Sequence, residues 1–167
     1  MQVSLLADQP KVVETIAEWY FDEWGHKDPA TSVETIQAKV LLGINRDAVP
    51  VAFYITFEEE VIGAGEIKYR ELPEYPDYKY WLDGIFVPAE HRGKGISTRL
   101  IEFAKDKAAA LNIPILYLSC EEHNVALYER RGFKVVRHNK DRFIMEYVIN
   151  QGSILDSGCS QKSSIFE

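Results

Sequence analysis

A chain of 167 residues falls in the range of one domain, which takes roughly 100–200 residues, and 19 basic against 26 acidic side chains leave a formal charge of −7. That balance argues against a nucleic-acid partner, which needs a basic face. It suits a cationic partner, although solvation alone yields the same charge. A hydrophobic share of 46% is enough for a core, and no stretch approaches the roughly 18–20 apolar residues of a membrane span. Cys120 and Cys159 are too few for a disulfide framework or a zinc site. The opening MQVSLLADQPKVVETIAEWYF has neither the basic nor the apolar region of a signal peptide. The expectations are therefore a cytoplasmic protein with no membrane partner and no metal.

In chain order, Asp8 reads as the cap of a first helix, Pro10 suits its first turn, and Val12, Val13, Ile16, Trp19 and Tyr20 recur at helical spacing. A second helix is expected over 33–44, with Val33, Ile36, Val40, Leu41 and Ile44 on one side. The period then changes. Residues 51–57 and 61–69 read as two strands around the polar turn Glu58-Glu59-Glu60, and Gly63 and Gly65 suggest a bulge or a close approach of backbone. Residues 70–78, with two prolines, form a loop, and 80–87 form a strand ended by Pro88. A glycine-rich turn leads into an amphipathic helix over 96–111, followed by a buried strand at 113–120. A short helix at 125–131 stops at Gly132, and 133–137 with 142–149 make a closing strand pair. The expected architecture is one mixed α/β (α+β) domain over residues 1–150, with a Ser/Gly-rich tail at 151–167. In that tail Ile154, Leu155, Ile165 and Phe166 offer apolar surface for docking.

The richest segment is the strand-turn-helix containing Val87-Pro-Ala-Glu-His-Arg-Gly-Lys-Gly-Ile-Ser97. At such a helix start, unpaired backbone N–H groups and the helix dipole suit a phosphate or pyrophosphate. Gly93 and Gly95 allow close approach, and Arg92 and Lys94 supply counter-charge. A plain tight turn has the same composition. The segment lacks the Lys-Ser/Thr pair of a P-loop and the third glycine of a dinucleotide loop.

Arg92-Gly93-Lys94-Gly95-Ile96-Ser97 resembles the R/Q-x-x-G-x-G/A acetyl-CoA loop of the GNAT superfamily of N-acetyltransferases, with Ser97 where glycine or alanine is usual. Further on, Asn124-Val-Ala-Leu-Tyr-Glu-Arg-Arg-Gly-Phe133 resembles the second family signature, with a shorter Asn-to-Tyr spacing. Ile144 to Tyr147 resembles the family's last strand. The match covers about residues 80–148 and places the chain with the bacterial-type small-molecule branch, its substrate unassigned.

The resemblance implies a GNAT fold, a mixed sheet of about six to seven strands flanked by about four helices. It implies acetyl-CoA as cosubstrate, held in a V-shaped opening between the strands at 81–87 and 115–119. The pantetheine arm would pair with backbone of Ile85, Phe86 and Val87, and the pyrophosphate would sit on the amides of Arg92 to Ile96. Ser97 belongs to the same loop, and Asn124 is included with these cofactor residues. The implied reaction is direct attack of a primary amine on the thioester. Tyr128 falls where the family places the general acid, and a phenol near pKa 10 is protonated at neutral pH.

Asp83 is a candidate base or cation-attracting group, as in the aminoglycoside-modifying branch, and Glu66 on the preceding strand is a second. Other members carry the base two positions earlier, where this chain has Trp81. His91 and His123 read as loop surface and Cys120 as core. A non-catalytic acyl-CoA sensor or interaction module on the same fold is the alternative.

For the acceptor, residues 58–83 carry eight acids against three basic side chains, interleaved with Tyr69, Tyr75, Tyr78, Tyr80 and Trp81. The first helix adds Glu18, Trp19, Asp22, Glu23 and Trp24. Carboxylates beside aromatic faces suit a small cationic amine or a peptide amine. A solvated acidic loop whose aromatics pack into the core gives the same pattern. Relatives frequently dimerise, so a homodimer belongs among the expected partners.

Overall fold

A computed structural model describes residues 1–149. The tail at 151–167, including Cys159 and the four apolar residues named above, lies outside them. The chain begins with a short strand, β1 (Gln2–Leu5), which the sequence reading missed because four residues hardly display a period. One-turn helices at Leu6–Asp8 and Pro10–Val12 follow, and α1 runs over Val13–Glu23. Asp8 therefore does not cap α1. Its carboxylate accepts the Leu5 N–H at 3.1 Å and closes the first of those turns. Next is α2 (Val33–Leu41), where Ser32 accepts the Thr35 N–H at 3.2 Å as N-cap. It ends three residues before the expected Ile44.

The remaining elements are β2 (Val51–Phe57), β3 (Glu60–Tyr69), β4 (Tyr80–Phe86), α3 (Ile96–Ala110), β5 (Ile115–Glu121), α4 (Glu122–Glu129), β6 (Lys134–Asn139) and β7 (Arg142–Val148). Glu60 joins β3, so the turn is Glu58-Glu59 alone, both at positive φ. The strands form one seven-stranded mixed sheet in the order β1-β2-β3-β4-β5-β7-β6. With four α-helices among the described residues, strand and helix numbers match the expectation.

Alternation in β2 explains how both faces are covered. Val51, Phe53 and Ile55 point to the face where α3 docks with Ile96, Leu100, Ile101, Ala104 and Ala108. Ala52 and Tyr54 point the opposite way, against Val13, Ile16 and Tyr20 of α1 and Val40 of α2. That double burial is why VAFYI is apolar without interruption. Farther along the sheet, the α1 side is closed by the 70–79 loop. There Tyr78 stacks on Tyr117 at 4.1 Å between ring centres, and Trp81 donates its indole N–H to the Tyr78 carbonyl at 2.8 Å.

Two helix ends are closed by residues in the left-handed region. After α3, Asn112 at φ +57° lets the Ile113 N–H reach the Ala108 carbonyl at 3.0 Å. After α4, Gly132 at φ +93° does the same for Phe133 and Tyr128 at 3.1 Å. The second closure places the body of α4, and Tyr128 with it, over the end of β5.

Two further features open the sheet. β4 and β5 run parallel and pair only at Trp81 with Tyr117, beyond which they part. Between β3 and β4 the register slips, so that Ala64 faces Phe86 while Glu66 faces Asp83. Gly84 and Ile85 thus stand opposite the single residue Gly65. This is the bulge that the glycines suggested, carried by the partner strand.

Candidate active site

A cleft of about 680 Å³ lies where β4 and β5 part. Residues 82–87 of β4 and its end form one wall, and 118–121 of β5 form the other. The turn before α3 and the α4 residues Asn124, Leu127 and Tyr128 close one side, while Glu23 and Trp24 at the end of α1 stand at the opposite side.

The bulge that widens the cleft is held from behind. Gly84 sits at φ +63°, and the Tyr20 hydroxyl donates to its carbonyl at 2.7 Å. A Cβ at Gly84 would lie 2.4 Å from that hydroxyl oxygen. Only glycine satisfies both the backbone angle and the space. Tyr20 is buried, and desolvation followed by the nearby Glu66 and Asp83 carboxylates pushes its phenol well up. It remains a neutral donor.

The glycine turn is shaped differently. Gly93 and Gly95 adopt φ +76° and +75°, and a Cβ on either would meet nothing within 4 Å. Their lack of side chains is therefore not required by protein packing; it leaves open space in front of the backbone. Gly95 is the N-cap of α3 and offers no side-chain cap, so the first amides of that 15-residue helix face the cleft without one. Arg92 braces the turn: its Nε donates to the Val87 carbonyl at 2.9 Å and its guanidinium lies 5.9 Å from the Phe86 ring centre. Lys94 folds back toward the Glu90 carbonyl at 3.4 Å and is not part of the lining. Ile85, Phe86, Val87, Arg92, Gly93, Gly95, Ile96, Ser97 and Asn124 all line the cleft. Open space, unshared amides and the adjoining strand edge fit a nucleotide pyrophosphate with an extended arm.

Tyr128 also lines the cleft, packed edge-on against Phe133 at 5.8 Å. Burial, then Cys120 and Asp83, push its phenol up against a smaller pull from Arg142. Cys120 is buried as expected, its Sγ 3.8 Å from Met145 Sδ, yet it reaches the same cleft.

The two carboxylate candidates are separated by the fold. Asp83 lines the cleft and bonds Lys68 Nζ at 3.0 Å, Arg70, and the Gly84 N–H at 2.9 Å. Burial resists its ionisation, but Lys68, Arg70 and these hydrogen bonds outweigh burial and hold the carboxyl below its ordinary range. Glu66, only 3% exposed, lies 3.3 Å from Lys68 Nζ and does not line the cleft. Desolvation lifts its pKa, and Lys68 offsets that only in part. The group in the cleft is thus a weak base, and the stronger base lies behind it. Together Glu66 and Asp83 are matched by Lys68 and Arg70, so this part of the acidic strip has no surplus charge.

His91 departs from the expected loop surface. Its side chain is 17% exposed, its Nε2 is 3.1 Å from Glu60 Oε1, and it lines the cleft, because its one-turn helix folds onto the start of β3. His123 is exposed, as expected, at the rim. Ser119 and Arg142 were not anticipated. The Arg142 guanidinium donates to Ser119 Oγ at 3.1 Å and to its carbonyl at 2.9 Å, tying β7 to the rim of β5. Only the pairing of β5 with β7 brings them together.

The sequence matches the profile of the acetyltransferase (GNAT) family over residues 12–133. This chain belongs to the GNAT family. Acyl transfer from a coenzyme A thioester to an amine is the chemistry of that family, and this GNAT chain carries its seven-stranded fold. Similar solved structures include an aminoglycoside 6'-N-acetyltransferase complexed with coenzyme A, with TM-score 0.69 and 18% identity over 90% of this chain and 98% of that one. Ribosomal-protein-alanine N-acetyltransferase from Brucella melitensis gives 0.70 and 16% over 89% and 99%. Aminoglycoside 6'-N-acetyltransferase from Enterococcus faecium gives 0.66 and 18% over 90% and 98%. No curated protein matches the sequence at a significant level. Among the described residues no group of three or more His, Cys, Asp or Glu side chains is placed to hold a metal ion, and no helix is long and apolar enough to cross a membrane.

Proposed function

We propose that this GNAT chain moves an acetyl group from acetyl-CoA to a primary amine by direct attack, with Tyr128 as the proton-donating group. The carrying observation is the cleft at the β4–β5 divergence, which joins a glycine turn with open space before its amides to a phenol on α4. The cosubstrate supplies an activated acyl carbon and a thiolate leaving group whose conjugate acid has a pKa of about 8.5.

The amides of residues 93 to 96 and the N-terminus of α3 would hold the pyrophosphate, and backbone of Ile85 to Val87 the extended arm. The Tyr128 hydroxyl donates a hydrogen bond toward the departing sulfur. Because its phenol is pushed up, it is protonated through the neutral range; it gives that proton to the sulfur as the C–S bond breaks and regains one, through water, from the nitrogen that has formed the new C–N bond. The amine enters from the side bounded by Glu23 and Trp24. Asp83, held as a carboxylate, attracts the acceptor by charge and accepts a hydrogen bond from its neutral amine, and that free amine is supplied by the acceptor's own equilibrium in solution.

Those pKa directions give a pH prediction. Asp83 titrates below its usual range and Tyr128 above its own, so neither changes charge between about pH 6 and about pH 10. Then kcat/KM should rise along one limb set by the amine's own pKa and show no alkaline fall in that window. Two acceptors of different basicity should shift the limb accordingly. A downturn below about pH 9 that Tyr128→Phe abolishes would contradict the assignment.

Calorimetry with coenzyme A tests the turn. In Gly95→Ala the Cβ meets no protein atom, so the fold loses only the strain of φ +75°, roughly 1–2 kcal/mol. Affinity should nevertheless fall about tenfold or more, because the methyl group occupies the space before the amides. Unchanged affinity would remove the turn from the binding site. Thiol release from acetyl-CoA over a panel of amines tests the reaction itself. Binding with no turnover on any amine would leave the sensor reading.

A further inference from the structure

Beside the main cleft lies a second hollow of about 320 Å³, and Ser119 and Arg142 line both. Its floor is apolar: Leu72 and Tyr75 of the 70–79 loop, Trp81 of β4 and Ile144 of β7. Its rim is not. Arg70, Lys140 and Arg142 stand around it against one acid, Asp141. Arg70 is shared with Asp83, and Arg142 is bonded to Ser119, with Glu121 3.8 Å away. Lys140, at the β6–β7 turn, has no ion-pair partner among the described residues. A predominantly cationic rim is unexpected in a chain of net charge −7. It lies on the sheet face covered by the 70–79 loop, away from α3 and the glycine turn.

We propose that this hollow receives the acceptor, and that the acceptor carries an anionic group, a carboxylate or a phosphate, beside its amine. The inference rests on the acetyl-transfer reading above and specifies its substrate class. The amine would lie at the shared mouth near Ser119 and Asp83. The anionic group would meet Lys140 and Arg142, where charge-assisted hydrogen bonds fix it. An apolar substituent would rest on Tyr75, Trp81 and Ile144. Of the eight acids in the strip at 58–83, which suited a small cationic amine or a peptide amine, four are engaged within the protein: Glu66 and Asp83 with Lys68 and Arg70, Glu60 with His91, and Glu71 with the Tyr69 hydroxyl at 2.7 Å.

The test is acetylation of matched amines by the full chain: phenylalanine, its phosphonate analogue, phenethylamine, which lacks the anionic group, and spermidine. Phenylalanine or the phosphonate should exceed phenethylamine in kcat/KM by about tenfold or more, and which of the two is preferred distinguishes carboxylate from phosphate. Lys140→Gln and Arg142→Gln should each shrink that ratio severalfold, whereas Lys11→Gln, on the far turn before α1, should not. With coenzyme A present, N-acetylphenylalanine should raise the melting temperature more than N-acetylphenethylamine does. Equal or better turnover of phenethylamine or spermidine overturns the anionic-acceptor proposal and leaves acetyl transfer standing. Coenzyme A binding without turnover on all four overturns both. An unchanged ratio in Lys140→Gln and Arg142→Gln removes the second hollow from acceptor recognition.

Discussion

Tyr128→Phe is expected to lower kcat by about 100-fold or more while coenzyme A affinity stays within a factor of about two. A positioned proton donor contributes roughly 10²–10⁴ in rate, and the hydroxyl is the only atom removed. The ring still packs against Phe133 and Leu127 keeps its place in the cleft wall, so thermal stability should change little. Steady-state kinetics with a competent amine, alongside calorimetry, check both halves. Loss of affinity together with rate would make Tyr128 a wall of the binding site. Retention of full rate would transfer the donor role to another group or to water.

Gly84→Ala should produce the largest loss of stability. A non-glycine residue at φ +63° costs roughly 1–2 kcal/mol. Its Cβ would lie 2.4 Å from the Tyr20 hydroxyl and 2.8 Å from Cζ, so the ring must leave. That breaks the part-buried hydrogen bond from the buried Tyr20 hydroxyl to the Gly84 carbonyl, at about 1–3 kcal/mol. A total near 3 kcal/mol corresponds to a melting temperature lower by about 6–12 °C for a chain of this size. The fall in activity should exceed the fall in folded fraction, because the bulge keeps β4 away from β5. Tyr20→Phe should cost about 1–3 kcal/mol alone. In that background Gly84→Ala should cost less than in the parent chain, since the closest clash has gone. Strict additivity of the two changes would show that the hydroxyl and the glycine act independently.

Much of the local order was legible from residue types. The apolar VAFYITF run marks a strand, Gly132 marks the end of α4, and the two glycines before Ile96 mark a strand-to-helix turn. Each depends on interactions within a few residues of itself, where period, capping and backbone freedom are written directly in the chain. The pair of motifs around that turn and around Tyr128 sufficed to indicate the family.

Other features depend on residues far apart in sequence. Tyr20 reaches Gly84 across 64 positions, and Arg142 reaches Ser119 across 23. Gly63 and Gly65 signalled an irregularity, but its place, with the extra residue on β4 opposite Gly65, arises from pairing β3 with β4 and is specified by neither strand's own pattern. β1 exists because β2 offers it an edge, and His91 is covered because the β3 start lies over it. Charge shows the contrast most clearly. The sequence alone determined that the acids are concentrated at 58–83. Tertiary packing decided that Glu66 and Asp83 face Lys68 and Arg70, and that the cations Lys140 and Arg142 stand beside the cleft. Charge interactions weaken with distance through space, screened over about 8–10 Å at ordinary ionic strength, and are indifferent to chain order, so only the folded arrangement assigns each acid its partner.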